Sequence, residues 1–460
     1  MTVFLGSLIQ DAIHYRMISR CVMLSRVQVV SNKRKKALGR WELLAIALGG
    51  MVGGGIFSIL GVSVANIGNL TPLAIGIGGA LALAAAHSYV QLAKLYRDEG
   101  ATYSFFKLTF PGSPMGASLI GWIVTFGYIS TLALYAFTFG AYMTSAFDVQ
   151  NPVLATKVTA AGVLVLFAIL NLVSVSGMGK SEDLMVYTKL LLLGLIAAVL
   201  IRSGDVSNMT PIFDHDLSWS MISMTAAITF VAFEGFQLAI HATEETVEPE
   251  RDIPWAIYAA IATATVIYVL LAVAALMAIP KEELILNKES ALAAGAAHAI
   301  GPSGRVMVIL GAALATCSAI SGTVFGASRL MAVIARDGFL PAFLSRRQKD
   351  HIPGNAIIVM TLTAVLMVIV GGLEELLEFS SITFIVVSLL MAYANFVKRK
   401  QTGTHAALAI AIMAFLAVGL IAILRYQWLF HPRALAITFG LYAALGIGSA
   451  TFSLRHKDVA

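Results

Sequence analysis

The sequence predicts an all-α integral membrane protein of twelve transmembrane helices. Ten of them form a five-plus-five inverted repeat, and two extra helices follow at the C-terminal end. Three observations carry this prediction. First, 58% of the 460 residues are hydrophobic and 12% charged, with a mean hydropathy of +0.85, far from the balance of a soluble globular domain. Second, twelve apolar stretches are long enough for a hydrocarbon core that needs about 20 residues per helical crossing. Third, the first and sixth stretches, five places apart in the order, are interrupted at their middles by glycine.

The elements follow in order. Residues 1–40 lack the basic start, apolar core and small-residue cleavage site of a signal peptide, because their strongest basic cluster, KRKK at 33–36, comes last. They are expected to form a cytoplasmic arm, and Met23 is a second candidate start. Segments one to five are predicted at 42–65, 71–95, 116–147, 153–176 and 182–203, making a first repeat over 41–203. Segments six to ten are predicted at 217–241, 254–279, 303–334, 354–371 and 376–397, making a second repeat over 204–400. The longer loop 280–302 holds ESALAAGAAHAI, which reads as a short helix, and 335–353 is a basic loop. Segments eleven (404–424) and twelve (432–454) complete the chain over 401–460.

The formal charge of +6 is not a nucleic-acid footprint, because it follows the loops. With the N-terminus inside, roughly twenty Lys and Arg fall on one side and about six on the other, the asymmetry of the positive-inside rule. Both termini are therefore expected in the cytoplasm and the protein in the cell membrane. Cys21 and Cys317 are too few for a disulfide framework.

Five glycines occupy the seven positions 49–55, GGMVGGG, inside an apolar run. An unwound stretch at membrane depth leaves backbone groups that lipid cannot satisfy, so it persists only where it lines a cavity or meets a ligand. A half-helix restarting near Ile56-Phe57-Ser58 aims free N–H groups and its positive dipole end at the membrane centre, which suits a carboxylate. The half-helix ending near Gly49 to Val52 offers free carbonyls, which suit an ammonium or a metal cation. A zwitterionic amino acid fits both. The competing reading is close helix packing, since Gly49 and Gly53, Gly50 and Gly54, and Gly322 and Gly326 have small-xxx-small spacing. About 180 residues later, ITFVAFEGFQLAI (228–240) places Glu234-Gly235 at the middle of segment six, the paired position expected of an inverted repeat.

GGGIF (53–57), AFEGFQ (232–237), TVEPERDIPWAI (246–257) and SRLMAVIARDGFLP (328–341) together resemble the amino acid, polyamine and organocation transporter family, in order from about residue 38 to about 450. The resemblance implies a LeuT-type fold with substrate held between unwound parts of segments one and six and exposed to each side in turn. It also implies that Gly53, Gly54 and Gly55 line a carboxylate subsite, and that the backbone of Val231, Phe233 and Glu234, beside Gly235, faces the amine and side chain. Many relatives carry an acid where this chain has Gln237, and here the acid is Glu234, before the glycine. Glu234 is open to three roles: recognising a second amino group, coupling to protons, or capping neighbouring backbone.

Lys189 is the only charge between Asp183 and Arg202 of segment five, about two turns inside. A lysine so placed either snorkels, fixes itself to backbone carbonyls, or exchanges a proton during a cycle. Its ammonium can occupy the carbonyls ending the first half of segment one, where sodium-coupled relatives hold sodium, and its position looks like the segment-five lysine of some proton-coupled members. Ser318, Ser321 and Thr323 on segment eight are candidate neighbours, and with those carbonyls they suit sodium instead. Tyr128, Tyr135 and Phe139, with Phe233 and Phe236, are candidate aromatic gates or core residues. The acids Glu244, Glu245, Glu248, Glu250 and Asp252 lie opposite Arg329 and Arg336 as a solvated face or an inner gate.

Other signals are weaker. GMGKS (177–181) lacks the first glycine of a phosphate loop, with Ser174 in its place. His87 and His241 are candidate proton relays or packed side chains. No HExxH or GxSxG motif marks an enzyme, no ring of charge marks a channel, and no cofactor is expected. The sequence reads as a secondary transporter of amino acids, with proton symport favoured over sodium symport and over amino acid or polyamine exchange.

Overall fold

The computed structural model describes residues 38–98, 100–147, 149–173, 178–211, 218–243, 245–348 and 352–457, without the side chains of 178–183 and 455–457. The KRKK arm, Cys21, Met23, Ser174, the GMGKS side chains and Glu244 lie outside the described residues. Among the described residues the regular elements are helices, and one isolated bridge joins Leu38 to Thr246.

Ten helical runs are long and apolar enough to cross a membrane. The run Gly54–Tyr96 holds the second half of segment one and all of segment two, and the 17-residue helix Gly354–Val370 is segment nine. About twelve crossings result, at bounds within a few residues of those predicted. Five long helices, Pro114–Thr144, Pro152–Val173, Pro249–Ala278, Pro302–Arg336 and Pro432–Lys457, open on proline. Proline costs nothing there, because the first helical N–H has no intrahelical acceptor and the ring presets φ. Loop 280–302 forms the two short helices Lys281–Leu286 and Ala291–Ile300.

Segments three and six are the inner ones, 83% buried over their most apolar stretch, whereas segments four, eleven and twelve are only 28%, 28% and 22% buried. The outer helices therefore show apolar side chains such as Leu166, Leu362, Ile421 and Ile447 on their outward faces. In water such patches would be a liability; against lipid tails they cost nothing. This is a multi-pass membrane protein.

Candidate functional site

Segment one consists of two helices, Arg40–Met51 and Gly54–Ile67, with Val52 and Gly53 between them. The restart falls at Gly54, two residues before the expected Ile56, because the Gly53 N–H turns back to Met51 O (2.8 Å) and caps the first half at once. Segment six runs as helix Trp219–Thr229, then a 3₁₀ turn Phe230–Phe233, then extended Glu234 and left-handed Gly235 (φ +117°), then a second 3₁₀ stretch Phe236–Ala242. Residues 51–57 and 230–237 are all buried. Backbone groups freed from both ladders thus meet inside the protein, where the first N–H groups after Gly53 have no intrahelical acceptor.

The glycines serve close approach more than unusual conformation. Among residues 49–55 none has positive φ. A Cβ on Gly53 would lie 2.5 Å from Ala319 Cβ, on Gly54 3.1 Å from the Tyr135 ring, and on Gly55 2.7 Å from Ala232 Cα. A Cβ on Gly50 would lie 3.2 Å from Gly235 Cα. The two breaks therefore touch backbone to backbone, Gly50 on Gly235 and Gly55 on Ala232. The small-xxx-small reading and the helix-break reading describe the same residues.

Lys189 is fully buried. Its Nζ donates to Gly49 O at 2.7 Å and to Ser318 Oγ at 3.3 Å. An ammonium thereby joins segments one, five and eight at the carbonyl end of the first half-helix. Ser321 and Thr323 are buried further along segment eight.

Glu234 is 4% exposed, and its carboxylate accepts a hydrogen bond from Gln237 Nε2. The same Gln237 accepts the Gly235 N–H through Oε1 at 3.4 Å. The two positions that set this sequence apart from the family pattern thus form one side-chain pair across the break. Tyr89, Tyr128 and Tyr135 all lie within electrostatic reach of this carboxylate. Phe236 meets Tyr89 edge to face at 5.4 Å, and Tyr128 meets Phe384 at 5.8 Å. Of the carbonyls expected to face substrate, Val231 O accepts the Glu234 N–H at 3.1 Å. Phe139 packs against the core, and His87 Nδ1 sits 3.2 Å from the Tyr258 hydroxyl, away from the breaks.

Sequence reasoning missed Tyr268, on segment seven. Its buried hydroxyl donates to Met51 O at 2.9 Å and Ala232 O at 3.1 Å, one carbonyl from each break. Its ring lies 5.3 Å from that of Phe233. A lone tyrosine in ATATVIYVLLAV carries no signal of such partners. Tyr268→Phe removes the shared donor and leaves two buried carbonyls short of a partner. It is expected to cost about 1–3 kcal/mol, read as a lower melting temperature.

The acidic run holds two described ion pairs. Glu250 pairs with Arg97 and Glu248 with Arg251, while Arg329 lies over the Phe325 ring and donates to Phe325 O. Asp337 takes Lys107 (2.6 Å) and the Tyr103 hydroxyl (2.8 Å). Burial, with Asp337 beside it, pushes the Tyr103 phenol up, so it stays a donor. The Glu250–Arg97 and Glu248–Arg251 pairs are well solvated, and each contributes little to stability.

A family model described as amino acid permease matches residues 38–452. The chain belongs to the amino acid permease family. The permease is 28% identical over 93% of its length to an uncharacterized protein of Methanocaldococcus jannaschii, covering 96% of that protein. It is 28% identical to the inner membrane transport protein YbaT of Escherichia coli (strain K12), over 93% of this chain and 99% of that one. It is also 28% identical to the human cystine/glutamate transporter, over 86% and 81% of the two chains. The match spans the breaks, Lys189 and Tyr268, and amino acid transport, not catalysis, is the activity of the family.

Proposed function

We propose that the permease imports an amino acid across the cell membrane together with protons, by alternating access around the two helix breaks, with both termini in the cytoplasm. The substrate carboxylate binds the N–H groups of Gly54, Gly55 and Ile56, beside Gly53. The substrate ammonium and side chain face Val231, Phe233, Glu234 and Gly235, with Tyr128 and Phe236 closing the site. The observation that carries the coupling is the Lys189 ammonium on Gly49 O and Ser318 Oγ. Protonated, Lys189 ties the first half of segment one to segments five and eight through charge-assisted bonds; deprotonated, it loses that charge and donates more weakly, which loosens that half-helix. Sodium would need the same oxygens, with Ser318 and Ser321, so lysine and sodium compete for one place, and the lysine is already bonded there.

Glu234 supports a second reading, exchange of amino acids or polyamines, because a buried carboxylate can hold a second amino group. Proteoliposome uptake separates them. The proton reading expects accumulation driven by an inward proton gradient with empty vesicles, unchanged when sodium is replaced by potassium. Uptake that requires internal substrate and ignores the gradient overturns it in favour of exchange.

A further inference from the structure

The two breaks are held in matching ways by the last helix of each repeat. In a five-plus-five inverted repeat, segments six, ten and three are the counterparts of one, five and eight. Lys189 on segment five donates to Gly49 O on segment one and to Ser318 Oγ on segment eight. On segment ten (Leu373–Val397), Ser381 Oγ donates to Ile228 O on segment six at 2.7 Å, and its neighbour Ser380 donates to Ser130 Oγ on segment three at 2.9 Å. The three corresponding segments are thus joined in each half, once by a single ammonium and once by two adjacent hydroxyls.

Ser130, Ser380 and Ser381 are fully buried, as Lys189 is. Gly49 is among the last four residues of helix Arg40–Met51, and Ile228 among the last four of helix Trp219–Thr229. At such positions helix carbonyls lose their α-helical donors. Directly beyond Thr229 the chain tightens into the 3₁₀ turn Phe230–Phe233, so Ser381 serves a carbonyl at the point where the α-helix gives way. Ser130 in turn donates to Gly127 O at 2.8 Å. Glycine at 127 lets segments three and ten come this close, since a Cβ there would stand 3.0 Å from Thr383 Cγ2. A serine hydroxyl both donates and accepts and, unlike an ammonium, has no charge to lose.

We propose that Ser381, braced by its neighbour Ser380, is a positioning residue for transport and the second repeat's counterpart of Lys189. It is a neutral anchor that fixes the first half of segment six to segments ten and three, and so sets the place of the break at 230–235. Segment one is then held at its break by a contact that loss of a proton weakens, and segment six by one that has no proton to lose in this way. The role in transport rests on the reading above; the anchoring does not, and can be measured without substrate.

The test is hydrogen–deuterium exchange of the purified full chain in detergent at one pH, followed in peptides covering 40–51 and 219–233. In Ser381→Ala the amides of 219–233 are expected to exchange about tenfold faster than in the wild type, the loss of one buried hydrogen bond, while 40–51 is unchanged. Lys189→Ala is expected to do the converse. Ser381→Thr keeps the hydroxyl and is expected to restore wild-type protection. Should Ser381→Ala fail to fold, Ser381→Cys, whose thiol is a weak donor, reads the same bond. The anchor is overturned if Ser381→Ala exchanges like the wild type over 219–233, if both stretches speed up together, or if Ser381→Thr is as fast as Ser381→Ala. Uptake of a radiolabelled amino acid mixture into vesicles is expected to fall in Ser381→Ala and to recover in Ser381→Thr; wild-type uptake in Ser381→Ala overturns the positioning role. A wild-type chain that shows this exchange pattern against its variants but moves no amino acid keeps the anchor and loses the transport reading.

Discussion

Gly235→Ala is expected to destabilise the permease by about 3 kcal/mol or more, the sum of a left-handed backbone forced on an L-residue and overpacking against a rigid neighbour. At φ +117° the new Cβ would stand 2.5 Å from Gly50 C and 2.8 Å from Gly50 O. Both are main-chain atoms of the opposing break, so no rotamer change relieves the clash. Gly50→Ala should cost less, because its nearest obstacle, Leu238 Cδ1 at 2.6 Å, is the end of a flexible side chain. Gly162→Ala, in segment four with nothing within 4 Å of its Cβ, should be neutral or stabilise by roughly 0.5–1 kcal/mol. Thermal unfolding of the three variants in detergent checks the ranking. A Gly235→Ala protein as stable as Gly162→Ala would mean that the breaks do not touch as described.

Lys189→Ala is expected to lower gradient-driven uptake about a hundredfold. The substitution takes an ammonium away from Gly49 O and Ser318 Oγ, and hydrogen bonds to a charged group contribute about 1.5–3 kcal/mol each. A structural role alone would give the same loss, so a second variant is decisive. Lys189→Arg keeps a cation but one that does not release its proton in a protein. It should still bind substrate, yet show uptake that no longer responds to the proton gradient or to external pH. Substrate binding is read by thermal shift and coupling by proteoliposome uptake at several pH values. Wild-type coupling in Lys189→Arg would remove the proton from Lys189.

Much of the fold was legible because lipid imposes a length on every crossing, and apolar runs of that length stand out in the sequence. The break in segment six was legible from Glu234-Gly235, since a charge beside a glycine at mid-membrane has few structural explanations. The break in segment one was placed two residues late. The turn-back of the Gly53 N–H onto Met51 O depends on the fold of three residues, and three glycines in succession, Gly53 to Gly55, do not say which one restarts the helix. Tyr268 and the pairing of Gln237 with Glu234 were not legible as contacts. Each depends on which face of a helix turns inward, and helices apolar on all sides give that question no periodic answer. The inner acids were visible as a run, but partners such as Arg97 for Glu250 follow from loop geometry, to which composition is blind.

Leu38 accepts the Val247 N–H at 3.0 Å and donates to Glu245 O at 3.1 Å, and the Trp41 ring stands edge-on to that of Trp255 at 5.1 Å. The stem of the first half-helix is thereby buckled to the loop between segments six and seven. Whatever swings one of these arms drags the other along. In the alternating access proposed above, opening toward the basic side would be a single stroke of two coupled levers, and unfastening Leu38 from that loop would let each lever drift on its own.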